Sequence, residues 1–133
     1  MTTIAEILRS SHTIAVVGLS GKRFRPSYGV TEYMKKAGYK IIPVNPLETE
    51  ILGEKCYPDL DSVPGRVDIV DIFRRSEAVP EIVEAAIRKG VKVIWMQEGV
   101  VHEDAARRAH EAGLTVVMDR CILKDHRRLA YAS

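Results

Sequence analysis

A chain of 133 residues, 46% hydrophobic and 29% charged, has the size of one domain, can bury a substantial core and is too apolar for intrinsic disorder. Its net charge of +2 is too small for a dedicated nucleic-acid binder, and no run interleaves aromatic with basic residues as a single-strand stacking platform would. Apolar runs are only strand-length, so no membrane span is predicted, and Met1 to Ser10 lacks the apolar core of a secretion signal. A cytoplasmic location is the expectation. Cys56 and Cys121 are the only cysteines, without a C-x-x-C, which argues for reduced thiols and against a disulfide framework or zinc knuckle.

In chain order, Ile4 to Arg9 reads as a short amphipathic helix and Thr13 to Val17 as an apolar, β-branched strand. Gly18 ends that strand, because a residue without a Cβ lets the backbone turn sharply. Ser20 and Gly21 continue the turn, and Lys22, Arg23 and Arg25 add three positive charges. Pro26 closes the loop, and Ser27 is a good N-cap for a helix from Tyr28 to Ala37. Loop N–H groups and the positive end of a helix dipole would converge there on a bound anion. The plain alternative is a surface turn that happens to be basic.

The second strand, Lys40 to Val44, runs into Asn45 and Pro46, which read either as a simple turn or as a ligand contact. Leu47 to Arg66 carries Gly53, Pro58 and Pro64 and no clear helix, so it is predicted to cross the sheet as an irregular segment. After it come strand Val67 to Phe73, helix Ala78 to Lys89, strand Val91 to Met96, helix His102 to Ala112, strand Thr115 to Met118 and helix Leu123 to Leu129. Gly38, Gly90 and Gly113 each follow a helix, where a left-handed glycine would stop it. Strands alternating with helices predict an α/β fold with a parallel sheet of about five strands covered on both faces. Ligands of such sheets bind beyond the carboxyl ends of the strands, near the point where strand order reverses.

A strict dinucleotide fingerprint is not met. Counting from Gly18, the second and third glycines of G-x-G-x-x-G are replaced by Ser20 and Arg23, and the second strand ends without the carboxylate that holds an adenosine ribose. NAD is therefore the weaker ligand candidate. Cys121 with His126, flanked by Asp119 and Asp125, could be read as a nucleophile and base, yet a strand-end cysteine reads better as a small buried residue. A mixed disulfide between Cys121 and a ligand thiol is a further option. His102-Glu103-Asp104 lacks metal-ligand spacing and reads as a helix start, and Trp95 continues Val93 and Ile94 as core. No catalytic or metal-binding residue is predicted.

The strand-end motifs, taken in order, resemble the stand-alone CoA-binding protein family, a Rossmann-like fold related to the amino-terminal part of the succinyl-CoA synthetase α subunit. The resemblance rests on Val-Val-Gly-Leu-Ser at 16–20, Gly-Tyr-Lys-Ile-Ile-Pro-Val-Asn-Pro at 38–46 and Leu-Gly-Glu-Lys-Cys-Tyr-Pro-Asp-Leu at 52–60. It continues in Val-Asp-Ile-Val-Asp-Ile-Phe-Arg at 67–74, Val-Ile-Trp-Met-Gln-Glu-Gly-Val at 93–100 and Asp-Arg-Cys-Ile-Leu-Lys-Asp-His at 119–126. It implies a three-layer, doubly wound domain over residues 1–133 that cradles coenzyme A. Gly18, Leu19 and Ser20 would lie under the pyrophosphate, with Lys22, Arg23 or Arg25 pairing with phosphate oxygens, and Ser27 is counted among the cofactor-binding residues. Val44, Asn45 and Pro46 would form a nucleotide wall, Phe73 and Arg74 would flank the nucleotide, and Met96, Gln97 and Glu98 would line the path toward the pantetheine. The loop departs from the family in lacking a proline just after the serine turn, and Glu48 stands near where the synthetase relatives place a lysine.

The expected function is therefore binding of CoA or an acyl-CoA without bond chemistry. Two rivals stay open: a small oxidoreductase or transferase using an adenine-containing cofactor, and a CoA-sensing module that engages a protein partner. Oligomeric state is not specified by the sequence.

Overall fold

The computed structural model describes residues 2–132, and the two ends of the expected domain, Met1 and Ser133, lie outside them. Helix α1 (Ile4–Ser10) starts on a capping box, in which the Thr3 hydroxyl accepts from Glu6 N and the Glu6 carboxylate accepts from Thr3 N. Strand β1 (Thr13–Val17) follows, then α2 (Pro26–Lys36) and β2 (Lys40–Val44). A small hairpin, β3 (Glu50–Ile51) and β4 (Glu54–Lys55), lies inside the connection expected to be irregular. Leu52 and Gly53 make its turn with φ of 55° and 76°. The remainder is β5 (Ile69–Ile72), α3 (Val79–Lys89), β6 (Val93–Met96), α4 (Glu103–Glu111), β7 (Thr115–Val117) and α5 (Ile122–Ala132).

Five strands form one parallel sheet in the order β2-β1-β5-β6-β7, as the alternation of strands and helices predicts. The order reverses between β1 and β5, whose carboxyl ends therefore open a crevice. Gly38, Gly90 and Gly113 all take positive φ after their helices, and each expected helix stop is in place.

Alternation along the strands splits the core into two layers. Ala15, Val17, Val70, Ile72, Ile94 and Met96 face α3 and α4, packing on Val83, Ala86, Ala105 and Ala109. Ile14, Val16, Ile69, Val93 and Trp95 face the other way, onto Ile7 and Leu8 of α1, Met34 of α2 and Ile122 of α5. Each fully buried isoleucine or methionine on these strands contributes about 1.5–3 kcal/mol. Trp95 is fully buried, as expected of core, and its indole N–H donates to Arg120 O at 2.8 Å.

Asp71 breaks the apolar rule of the second layer. It pairs in register with Val16 and Trp95, is fully buried, and its Oδ1 has no hydrogen-bond partner among the described residues. Burial alone pushes its carboxyl well above the ordinary range, which favours the protonated form in the fold.

Candidate functional site

The site begins where β1 stops. Gly18 has φ of 89°, and a Cβ there would stand 2.7 Å from Phe73 O and 2.9 Å from Arg74 Cδ. Only glycine lets the β1 loop lie this close to the end of β5. Gly18 N donates to Val44 O and Phe73 N to Val17 O, so the ends of β2, β1 and β5 are tied together.

Ser27 does not act as the helix N-cap expected of it. Helix α2 starts two residues earlier with Pro26 at its first position, where the missing N–H costs nothing, and Ser27 lies inside the first turn. Its buried hydroxyl instead accepts from Ser20 N at 3.0 Å. Ser20 Oγ accepts from Lys22 N at 3.1 Å, and Glu48 Oε2 accepts from Gly21 N at 3.2 Å, so the loop is braced by three side chains. Asn45 makes the turn expected of it and also faces the crevice. Its Oδ1 accepts from Leu47 N at 2.9 Å in an Asx turn, its Nδ2 donates to Leu19 O at 3.0 Å, and the residue lines the crevice.

Two cavities occupy the carboxyl edge of the sheet and share Gly18, Asn45, Leu47 and Arg74. The first, about 550 Å³, has an apolar floor of Val17, Val44, Leu60, Ile82 and Ala85, with Pro46 and Pro58 in its wall and the charged Asp59, Asp61, Glu81 and Arg88 also lining it. The second, about 760 Å³, runs over the amino end of α2 and is lined by Ser20, Lys22, Arg25, Ser27, Glu48, Phe73, Arg75, Gln97, Glu98 and Cys121. Lys22, Arg25, Arg74 and Arg75 have no ion-pair partner among the described residues. Several arginines elsewhere are paired: Arg88 with Asp61, Arg108 with Glu84 and Arg120 with Asp125. Unpaired cations gathered over a helix amino end make an anion-attracting surface.

Some expected site residues are placed elsewhere. Met96 is fully buried in the layer under α3 and α4, because alternation gives it the face of Ile94, and it lines neither cavity. Leu19 also buries its side chain completely, leaving only its backbone at the loop. Arg23 is exposed and lines neither cavity. Gln97 is buried in the second cavity, where its Oε1 accepts from Ile122 N at 3.1 Å and so anchors the start of α5. Glu98 is engaged at the rim by Lys124, 3.1 Å from its Nζ.

The residues that looked catalytic are dispersed. Cys121 is buried against the second cavity, whereas His126, whose Nδ1 lies 2.9 Å from the Tyr33 hydroxyl, lines a separate 280 Å³ cavity formed with α1. Asp125 is buried beneath a two-pronged Arg120 contact of 2.8 and 2.7 Å, which holds its carboxyl below the usual range. Asp119, at φ of 61°, accepts from Gly99 N. His102 caps α4, accepting from Ala105 N at 3.0 Å, as its reading as a helix start requires.

The first cavity also uses residues the sequence did not single out: Leu47, Leu60, Ile82 and Ala85. A leucine 90% exposed beside a proline turn is the one signal among them, and it shows only in three dimensions.

A parallel sheet of this order, with a glycine turn after β1 and a crevice at its reversal point, defines a Rossmann-like α/β protein. Comparison with known proteins makes this specific: the chain belongs to the CoA binding domain family, whose model matches residues 12–127. It is 46% identical over 123 residues to the uncharacterised protein YneT of Bacillus subtilis, covering 92% of this chain and 91% of that one. It is 35% identical over 82 residues to the ADP-forming acetate–CoA ligase II of Archaeoglobus fulgidus, covering 60% of this chain but only 12% of the ligase. A solved structure of a hypothetical protein from Pyrococcus horikoshii superposes with a TM-score of 0.93 at 42% identity, covering 96% of this chain and 89% of that one. Among the described residues, no helix is long and apolar enough to cross a membrane.

Proposed function

We propose that this chain binds coenzyme A or an acyl-CoA along the carboxyl edge of its sheet and acts by binding rather than by bond chemistry. The observation that carries the reading is the joined pair of cavities, one with an apolar floor and one lined by four cations without an ion-pair partner among the described residues. A ligand with an aromatic base at one end and a pyrophosphate next to it matches that order of surfaces. The base would rest on Val44, Leu60, Ile82 and Ala85 beside Asn45 and Pro46. The pyrophosphate would cross Gly18 and Ser20, where Lys22, Arg25 and Arg74 offer charge-assisted hydrogen bonds. The pantetheine arm would leave past Phe73 toward Gln97, Glu98 and Cys121.

Membership of the CoA binding domain family supports the choice of ligand. The test is thermal unfolding with CoA, acetyl-CoA, 3′-dephospho-CoA, NAD and ATP at matched concentrations. A ligand at 100 times its Kd stabilises the native state by about 2.7 kcal/mol. Stabilisation by CoA and acetyl-CoA without NAD is the expected result. A response to NAD alone would replace this reading with the oxidoreductase, and silence from all five would leave a protein-interaction module.

A further inference from the structure

The loop after β1 already occupies its own anion seats. Ser20 N and Lys22 N donate to neutral hydroxyls, those of Ser27 and Ser20. Gly21 N donates instead to a carboxylate, Glu48 Oε2, brought across from the segment after β2. The approach is close: a Cβ on Gly21 would lie 2.6 Å from that oxygen. Glu48 lines the cationic cavity with Lys22, Arg25, Arg74 and Arg75, yet among the described residues it forms an ion pair with none of them. Its charge is met by a backbone N–H, the partner a phosphate oxygen would take.

We infer that Glu48 is the specificity-determining residue of this cleft, an internal anion that sets how much phosphate charge a bound ligand can carry. The inference rests on reading the cleft as the CoA site. A phosphate settling on the loop either displaces the carboxylate from Gly21 N or sits beside it. Both routes disfavour the ligand, by an amount that grows with its charge. One like charge at ~4 Å in a solvated cleft changes Kd by about fivefold. Pantetheine, which has no phosphate, escapes the effect, 3′-dephospho-CoA feels part of it, and CoA feels most.

The test is calorimetric titration of the wild type, Glu48→Gln and Glu48→Ala with CoA, 3′-dephospho-CoA, pantetheine and inorganic pyrophosphate. Glutamine keeps an oxygen acceptor for Gly21 N without the charge, whereas alanine removes both. Glu48→Gln should tighten CoA by about fivefold, tighten 3′-dephospho-CoA by less and leave pantetheine unchanged, with Glu48→Ala no tighter than Glu48→Gln. CoA affinity that stays equal or falls in Glu48→Gln, or a matching change for pantetheine, overturns the inference while leaving the CoA reading intact. Pyrophosphate separates the two: tighter pyrophosphate with no CoA binding by any protein would retain the role of Glu48 and discard CoA as the ligand.

Discussion

Replacing Gly18 with alanine tests the close approach on which the crevice depends. Two costs add. A non-glycine residue at φ of 89° is strained by about 1–2 kcal/mol, and a Cβ 2.7 Å from Phe73 O forces the end of β5 to shift, an overpacking cost of about 1–3 kcal/mol. The obstacle is backbone rather than a flexible side-chain end, so it cannot swing away cheaply. Gly113 is the matched control, with φ of 93° and nothing within 4 Å of its would-be Cβ. Gly113→Ala should therefore incur the strain alone. At about 2.1 cal/mol/K per residue, 133 residues give an unfolding entropy near 280 cal/mol/K, so each kcal/mol moves Tm by about 3.6 °C. Gly18→Ala should melt roughly 7–18 °C below the wild type and Gly113→Ala roughly 4–7 °C below, read by circular dichroism. Equal losses for the two variants would refute the steric argument and with it the claim that only glycine lets the β1 loop lie this close to the end of β5.

Three further outcomes are expected. Lys22, Arg25 and Arg74 changed together to alanine should weaken CoA by at least about 100-fold, since each lost charged hydrogen bond counts for about 1.5–3 kcal/mol, while Tm moves little because none of the three has an ion-pair partner. A fall in Tm that tracks the loss of binding would remove the phosphate role. Burial favours the protonated form of Asp71 in the fold, and unfolding releases that proton above about pH 4, so its contribution to stability declines as pH rises from there. The stability of Asp71→Asn relative to wild type should accordingly be greater at pH 7 than at pH 4 by urea unfolding, and a pH-independent difference would contradict the buried neutral carboxyl. Asp125 shows the opposite sign: its carboxyl is held low by the Arg120 hydrogen bonds, so the stability it adds is present above about pH 4 and lost as pH falls through the depressed native value. Asp125→Asn should lose most stability near neutral pH and least near pH 2.5, and a constant deficit would assign its role to packing.

The layered fold was readable because each strand of the main sheet is a short apolar run and the stops of α2, α3 and α4 carry a glycine, signals that depend only on local backbone chemistry. The hairpin at Glu50–Lys55 was not, since strands of two residues have no periodicity and only Leu52-Gly53 marks the turn. Ser27 shows two valid signals competing over adjacent positions. Serine favours a cap, but proline at 26 fixes φ for helix entry, and the proline set the boundary. Met96 could have been placed correctly from the period of two, which gives it the core face of Ile94 rather than the edge. Lys22, Arg25 and Arg74 were legible as cations near strand ends. Which cations lack carboxylates was not, because pairs such as Arg88 with Asp61 and the Glu48 contact to Gly21 join residues 27 apart.

The most direct test of the account is a titration of ¹⁵N-labelled protein with CoA, followed by amide chemical shifts. Binding along the carboxyl edge requires the largest shifts at Gly18, Ser20, Gly21, Asn45, Leu47, Phe73 and Arg74, with Tyr39 and His126 of the separate cavity unmoved. Shifts centred on Tyr39 and His126, or none at millimolar CoA, would contradict the assignment of the cleft.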